Sequence, residues 1–346
     1  MELFPLWNVS SVARSQIINR MNPAEVIELA IRYKPFRDFL SIYKLPAVDL
    51  EWNFCKTNFK RRVVLKKQTV VLKFPSLKDP VQFDVQKTKK ENPIETDIEA
   101  LQNVARPHKG FVIGNCKNLQ KSVEALEEVI KLIAKIAHVK NYTIKYYHDP
   151  KVDILSSSVF QLTNTFLSLY LGYLDGAERM KLTEQQIRYL LEDVECDHLS
   201  LNCDLEGGPR LLENVKFNQK HLRFGDCDWL HPREFFNNSE LRSISGKFTQ
   251  PCNLEDFIKI VNGWQRGEIL QNLCHMKLRS EVDWPAMQGL TIQEDFTVAI
   301  VRATGEKFEE FRGEVKRMTD GKFARLWVWS GSVRAKPSSI LCFSCF

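Results

Sequence analysis

Cysteine and histidine spacing is the first place to look for chemistry. Cys342-x-x-Cys345 has the spacing of half a zinc site or of a redox pair, but no second pair and no histidine lies close to it in the chain. His198, Cys203, His221 and Cys227 would form a ligand set if neighbouring repeats stacked equivalent positions about 5 Å apart. The plainer reading is buried thiols and strand-edge histidines. Asp226, Asp228 and Trp229 form an acidic and aromatic cluster just after a strand-like run, where loops of repeat proteins meet partners, and they are the candidate substrate-binding residues. Ordinary surface-turn chemistry is the competing account. No G-x-G-x-x-G, G-x-x-x-x-G-K-[ST], H-E-x-x-H or G-x-S-x-G occurs, so nucleotide, zincin and serine-hydrolase chemistry lose their usual support. No catalytic residue, cofactor or metal is expected, and no enzymatic activity.

A basic run is the other chemical signal. Lys56, Lys60, Arg61, Arg62, Lys66, Lys67, Lys73, Lys78, Lys87, Lys89 and Lys90 are opposed only by Asp79 and Asp84, within a chain of formal net charge +6. With Trp52, Phe54, Phe59 and Phe74 available for stacking, residues 56–90 offer a nucleic-acid-binding alternative. Against it, the lysines alternate with valines and leucines, the pattern of a solvated face on a half-buried sheet.

The elements that must carry these residues follow from pattern and composition. A chain of 346 residues exceeds the usual single domain, and 44% hydrophobic with 27% charged residues is ordinary for a globular protein. The longest apolar run, Val159 to Tyr173, is broken by Gln161, Thr163, Asn164 and Thr165, so no membrane span is expected. Met1 to Leu6 carries Glu2 and no basic residue, which is wrong for a secretory leader, and nine scattered cysteines do not suggest disulfides; an intracellular, reducing location is expected.

Ser10 or Ser11 caps a first helix carrying Val12, Ile17, Ile18 and Met21, and Asn22-Pro23 starts a second filled by Val26, Ile27, Leu29 and Ile31. Pro35 stops that helix, leaving Phe36, Phe39 and Leu40 a third short turn before Leu45-Pro46. So small a packet leaves Phe4, Leu6 and Trp7 without an obvious partner in the chain. From Phe59 to Val85 the runs Val63–Leu65 and Val70–Leu72, parted by Lys66-Lys67-Gln68, suggest a hairpin. Glu91 to Gly110 reads as a linker with a boundary near 105. Beyond it, Leu119 to Ala137 is the clearest helix, with Val123, Leu126, Val129, Ile130, Ile133 and Ile136 on one face.

His198-Leu199-Ser200-Leu201 recurs as His221-Leu222-Arg223-Phe224, more loosely within Glu240 to Ser245, and again as His275-Met276-Lys277-Leu278. Leu222-x-Phe224-x-x-Cys227 fits the strand and turn of a leucine-rich repeat. With the helix at Leu254, Phe257, Ile258 and Val261, and closing strands at Phe296–Ala303 and Phe323–Trp329, the expected fold is α+β: three short helices, then a strand–helix repeat domain resembling an irregular leucine-rich-repeat solenoid.

Phe4-Pro5-Leu6 before a helix, then Met21-Asn22-Pro23, an apolar helix and a basic-aromatic third turn, resembles the F-box of nematode-type F-box proteins. The stretch from about Leu162 to Trp229, and on through Trp264 to Met276, looks like the F-box-associated domain of that family. The resemblance implies an F-box over 1–45, a hairpin region and linker over 46–105, and a substrate-binding domain over 106–346. It implies that Phe4, Pro5, Leu6, Val9, Ile17, Met21, Pro23 and Leu29 meet a Skp-family adaptor, which bridges to a cullin scaffold, so that the chain recruits a target protein to an SCF-type ubiquitin ligase. Two departures stand out: Val9-Ser10 replaces the usual Leu-Pro pair, and Pro35 falls where the family's third helix runs, which predicts a shortened helix.

Overall fold

The computed structural model describes residues 8–59, 62–86, 111–115, 119–147, 152–173, 179–208, 210–238, 240–248, 254–280, 299–302, 309–333 and 336–345. Among these are seven α-helices and sixteen strands, an α+β arrangement. The chain divides into two compact units, Met1–Thr165 and Phe166–Phe346. The linker expected over Glu91 to Gly110, with its boundary near 105, lies outside the described residues.

In the first unit, α1 (Ser11–Arg20) starts where Ser10 Oγ accepts the Ala13 N–H at 3.2 Å, and α2 (Pro23–Arg32) where Asn22 Oδ1 accepts the Ala24 N–H at 2.9 Å. Both caps satisfy backbone donors that a first helical turn leaves bare. The third helix, α3, spans Lys34–Tyr43. Pro35 sits in its first turn, where a backbone N–H would have no intrahelical acceptor, so the missing donor costs nothing. Val26, Ile27, Ala30 and Ile31 of α2 and Phe36, Phe39 and Leu40 of α3 are buried as the two helices pack. Lys44, at φ 25°, then turns the chain directly into a strand.

That strand, β1 (Leu45–Phe59), pairs antiparallel with β2 (Arg62–Lys73), which pairs antiparallel with β3 (Val81–Gln86); β4 (Phe111–Asn115) and β5 (Ala137–Tyr147) add parallel to β3 and β1. The order is β5-β1-β2-β3-β4. The expected break at Lys66-Lys67-Gln68 is absent: β2 runs straight through it, with Gln68 opposite Phe54, and the hairpin partner is β1. The polar triplet misleads because Gln68 is a buried polar residue, which pattern alone assigns to a turn. One row crosses all five strands as Ile144, Trp52, Val70, Phe83 and Phe111, every member buried. The helix α4 (Leu119–Ile136) contacts β2, β3 and β5 and buries all six residues expected on its apolar face. A short α5 (Ser158–Leu162) packs on α4.

In the second unit, strands run in the order β13-β14-β15-β16-β12-β11-β10-β8-β6. These are β6 (Thr165–Gly172), β8 (Glu195–Leu201), β10 (His221–Cys227), β11 (Ser243–Phe248), β12 (His275–Ser280), β13 (Ala299–Arg302), β14 (Glu309–Lys316), β15 (Phe323–Val333) and β16 (Lys336–Cys345), while β7 (Lys181–Leu182) and β9 (Asp204–Leu205) form a separate parallel pair. The strands β8, β10, β11 and β12 are parallel neighbours, and the sequence copies lie in register: His198, His221, Ser243 and His275 form one row. Beneath it, Leu199, Leu222, Ile244, Met276, Phe343 and Leu326 form a buried row continuing into antiparallel β16 and β15.

Helices serve that buried side. Trp264 of α7 (Leu254–Gln265) meets Phe343 edge-on at 4.9 Å between ring centroids. Phe235, in the 3-10 turn Pro232–Asn237, lies 5.9 Å from the rings of both Phe224 and Phe248. Gly246 makes room for this cluster, since a Cβ there would come within 3.0 Å of Phe224 and 2.9 Å of Phe248. Thr183 caps α6 (Glu184–Arg188), which widens into a π-helical turn at Tyr189–Asp193. Gln219, fully buried, closes that end by donating from Nε2 toward the carbonyls of Leu190, Leu191 and Val194 at 3.0, 3.1 and 2.9 Å. Helix-end carbonyls lack intrahelical donors, so this amide supplies what the helix cannot.

Candidate functional site

The N-terminal helices carry an apolar surface that is left in solvent. Phe4, Pro5 and Leu6 lie outside the described residues. Of the other expected docking residues, Val9 is exposed, while Ile17, Met21, Pro23 and Leu29 are half-buried along α1 and α2. The structure adds Val12 at 67% exposure, Ile42 at 76%, Tyr43 at 46% and Tyr33 at 39%. Five of the ten large hydrophobic residues found exposed among the described residues therefore fall between 9 and 43. Ile42 was legible in principle: it falls off the Phe36, Phe39, Leu40 and Tyr43 stripe of α3 and so must point away from the core. The surface is braced from below, since the Tyr43 ring stacks on Phe39 at 4.4 Å and the Arg14 guanidinium of α1 lies 4.9 Å over Phe39.

The acidic and aromatic cluster is placed differently from a recognition loop. Trp229 is 1% exposed, donates from Nε1 to the Cys203 carbonyl at 3.0 Å and meets Phe224 edge-on, so its ring belongs to the core. Asp226 is held between Arg179 at 3.2 Å and Lys247 at 3.0 Å, and Arg179 also reaches Asp204 at 3.1 Å. Asp228 is half-buried. Of the three, only Asp226 presents its carboxylate in a charge network at the surface, and that network is internally paired.

The thiols and imidazoles do not converge. Residues three apart on a strand point to opposite faces, so Cys342 and Cys345 on β16 cannot share one ion. Burial pushes the Cys345 thiol up to about 12 and raises Cys203 and Cys227 as well. Both of the latter are 1% exposed, whereas the His198 and His221 rings stack at 4.3 Å on the other side of the sheet. Burial, then the neighbouring His198, lowers the His221 imidazole below its ordinary value. Among the described residues no group of three His, Cys, Asp or Glu side chains is arranged to hold a metal ion.

Most of the basic run lies outside what the structure describes, including the side chains of Lys56, Lys60, Arg61, Arg62, Lys66 and Lys67 and all of residues 87–90. Lys73 is engaged, at 2.8 Å from Glu51, which also accepts from Lys145 at 2.5 Å. Burial alone would raise the Glu51 carboxyl; the hydrogen bonds from Lys145 and Lys73 outweigh it and leave the group at about 2.

No model of a protein family, no curated protein and no solved structure matches this chain.

Proposed function

We propose that the chain is a non-catalytic, intracellular substrate adaptor of an SCF-type ubiquitin ligase, its N-terminal helices acting as an F-box that docks on a Skp-family protein and through it on a cullin. The observation that carries this reading is the exposed apolar set Val9, Val12, Tyr33, Ile42 and Tyr43 on and beside three short helices, the first two of them capped by Ser10 and Asn22. Apolar surface of this kind is stabilised when a second protein removes it from water, at roughly 25 cal/mol per Å² covered. The order of sequence features from Phe4 to Leu40 supports the assignment. The parallel strands with their in-register copies, read as an irregular leucine-rich-repeat-like domain, would be the recruiting part. An adaptor of this design needs no nucleophile or general base: it raises the effective concentration of target lysines beside a charged ubiquitin carrier.

Capture of the chain by an immobilised recombinant Skp-family protein tests this. Val12→Glu combined with Ile42→Glu should abolish capture while the circular dichroism spectrum and melting temperature stay as in the wild type, because both side chains are mostly in solvent. Undiminished capture by the double variant, or none by the wild type, rejects the docking surface.

A further inference from the structure

The side of the second unit's sheet opposite α7 and the 3-10 turn has a chemical character that the helices do not share. Its first row is His198, His221, Ser243 and His275, laced by His221 Nδ1 to Ser243 Oγ at 2.9 Å and by His275 Nδ1 to Ser344 Oγ at 3.1 Å. The next row along the strands carries Arg223 on β10 and Lys277 on β12, both exposed and neither with an ion-pair partner among the described residues. Neither row holds a carboxylate across the four parallel strands. The carboxylates beside these rows are already matched, Asp197 by Lys220 at 2.7 Å and Asp226 by Arg179 and Lys247. Rings from α7 and from the 3-10 turn pack on the opposite side, against Phe343, Phe224 and Phe248.

We infer that this sheet face is a docking surface for an acidic, extended segment of a partner protein, with Arg223 and Lys277 as its paired anchors. Charge complementarity makes the case. One strand, β11, lies between the anchors, which puts them two strand spacings or about 10 Å apart at the level of the backbone, and carboxylates two residues apart on an extended chain are about 7 Å apart, a difference that the long side chains of arginine and lysine absorb. The histidine and serine row beside them offers hydrogen-bonding groups to the backbone of such a segment. A nucleic acid fits less well, because the His198 and His221 rings already stack on each other at 4.3 Å and present edges, not a platform, to a base. As the recruiting surface of an adaptor, this face rests on the function proposed above; as a binding surface, it is measured without any ligase component.

The experiment is fluorescence anisotropy with the full chain and a labelled peptide of alternating glutamate and serine. The wild type should bind this peptide at least about tenfold more tightly than the matching glutamine–serine peptide, with affinity falling as salt rises. Arg223→Glu combined with Lys277→Glu should weaken binding by about tenfold or more, whereas Arg61→Glu with Arg62→Glu, in the basic run of the first unit, should leave it within about twofold. If the reversed pair disturbs folding in a circular dichroism melt, Arg223→Gln with Lys277→Gln takes its place with the same direction of effect. Equal binding of the two peptides, unchanged binding by the Arg223 and Lys277 variants, or tighter binding of an oligothymidylate of equal charge would each overturn the inference. Peptide binding that survives in a chain unable to capture a Skp-family protein sinks the adaptor reading alone; capture without peptide binding sinks only this one.

Discussion

The two units build their sheets to one plan and finish the outer faces differently. Each buries an apolar row, Ile144 to Phe111 in the first and Leu199 to Leu326 in the second, by the alternation that a strand imposes. On the opposite side of the first sheet the charges are answered: Glu51 lies between Lys73 and Lys145, and Asn141 Nδ2 donates to Asp49 at 2.7 Å. On the second, the Asp197–Lys220 and Asp226–Arg179–Lys247 groups are paired, but Arg223 and Lys277 stand in solvent with no ion-pair partner among the described residues. An outer face whose charges close on each other serves the fold, and one whose charges are left open retains attraction for something else.

The largest test of this comparison touches what the sheets share. Trp52→Ala should destabilise the chain by about 3–5 kcal/mol and Leu222→Ala by about 2–5 kcal/mol in chemical denaturation, since each leaves a cavity in a fully packed row. A cost under about 1 kcal/mol for either would mean that its row is not a core. The next test separates the outer faces. Glu51→Gln should cost about 1 kcal/mol at neutral pH, modest because Lys73 and Lys145 are about half exposed and solvent screens them. Because the Glu51 carboxyl sits below its ordinary 4.5 in the folded state, its contribution is present above that value and is lost as pH falls toward 2. Melting temperatures of wild type and variant, followed down in pH, should converge there. The smallest effect belongs to the open face: Arg223→Gln and Lys277→Gln should each change stability by less than about 0.5 kcal/mol, and a larger loss would show that these cations are part of the fold after all.

How much of this was legible in the sequence depended on whether neighbours in space leave a trace in local order. The copies beginning at His198, His221 and His275 were readable because parallel strands in register repeat one local pattern, and α4 because six of its apolar positions recur at helical spacing and all six are buried. The long strand β1 was not, since what makes Leu50, Trp52 and Phe54 a strand is pairing with β2 and β5, the latter some ninety positions away. Gln68 hid β2 for a related reason: a buried amide looks like a turn until its surroundings are known. The exposed apolar set on the N-terminal helices was half legible. Val9, Ile17 and Met21 follow from resemblance and Ile42 from its place off the α3 stripe, but Tyr43 lies on that stripe and is exposed all the same, and no spacing rule names the helix that covers the rest of it.

Lys44 ends α3 and opens β1 with no intervening loop, and its ammonium reaches the Ala134 carbonyl of α4 at 3.5 Å, near the Asp38 to Lys135 pair at 3.6 Å. A joint made this way has no slack. Whatever protein grips the outer side of α3 is therefore aimed along a fixed bearing relative to the first sheet, as a tool is set by its shank and not by a string. Lengthening that junction with a glycine–serine insert would loosen the bearing while sparing the grip.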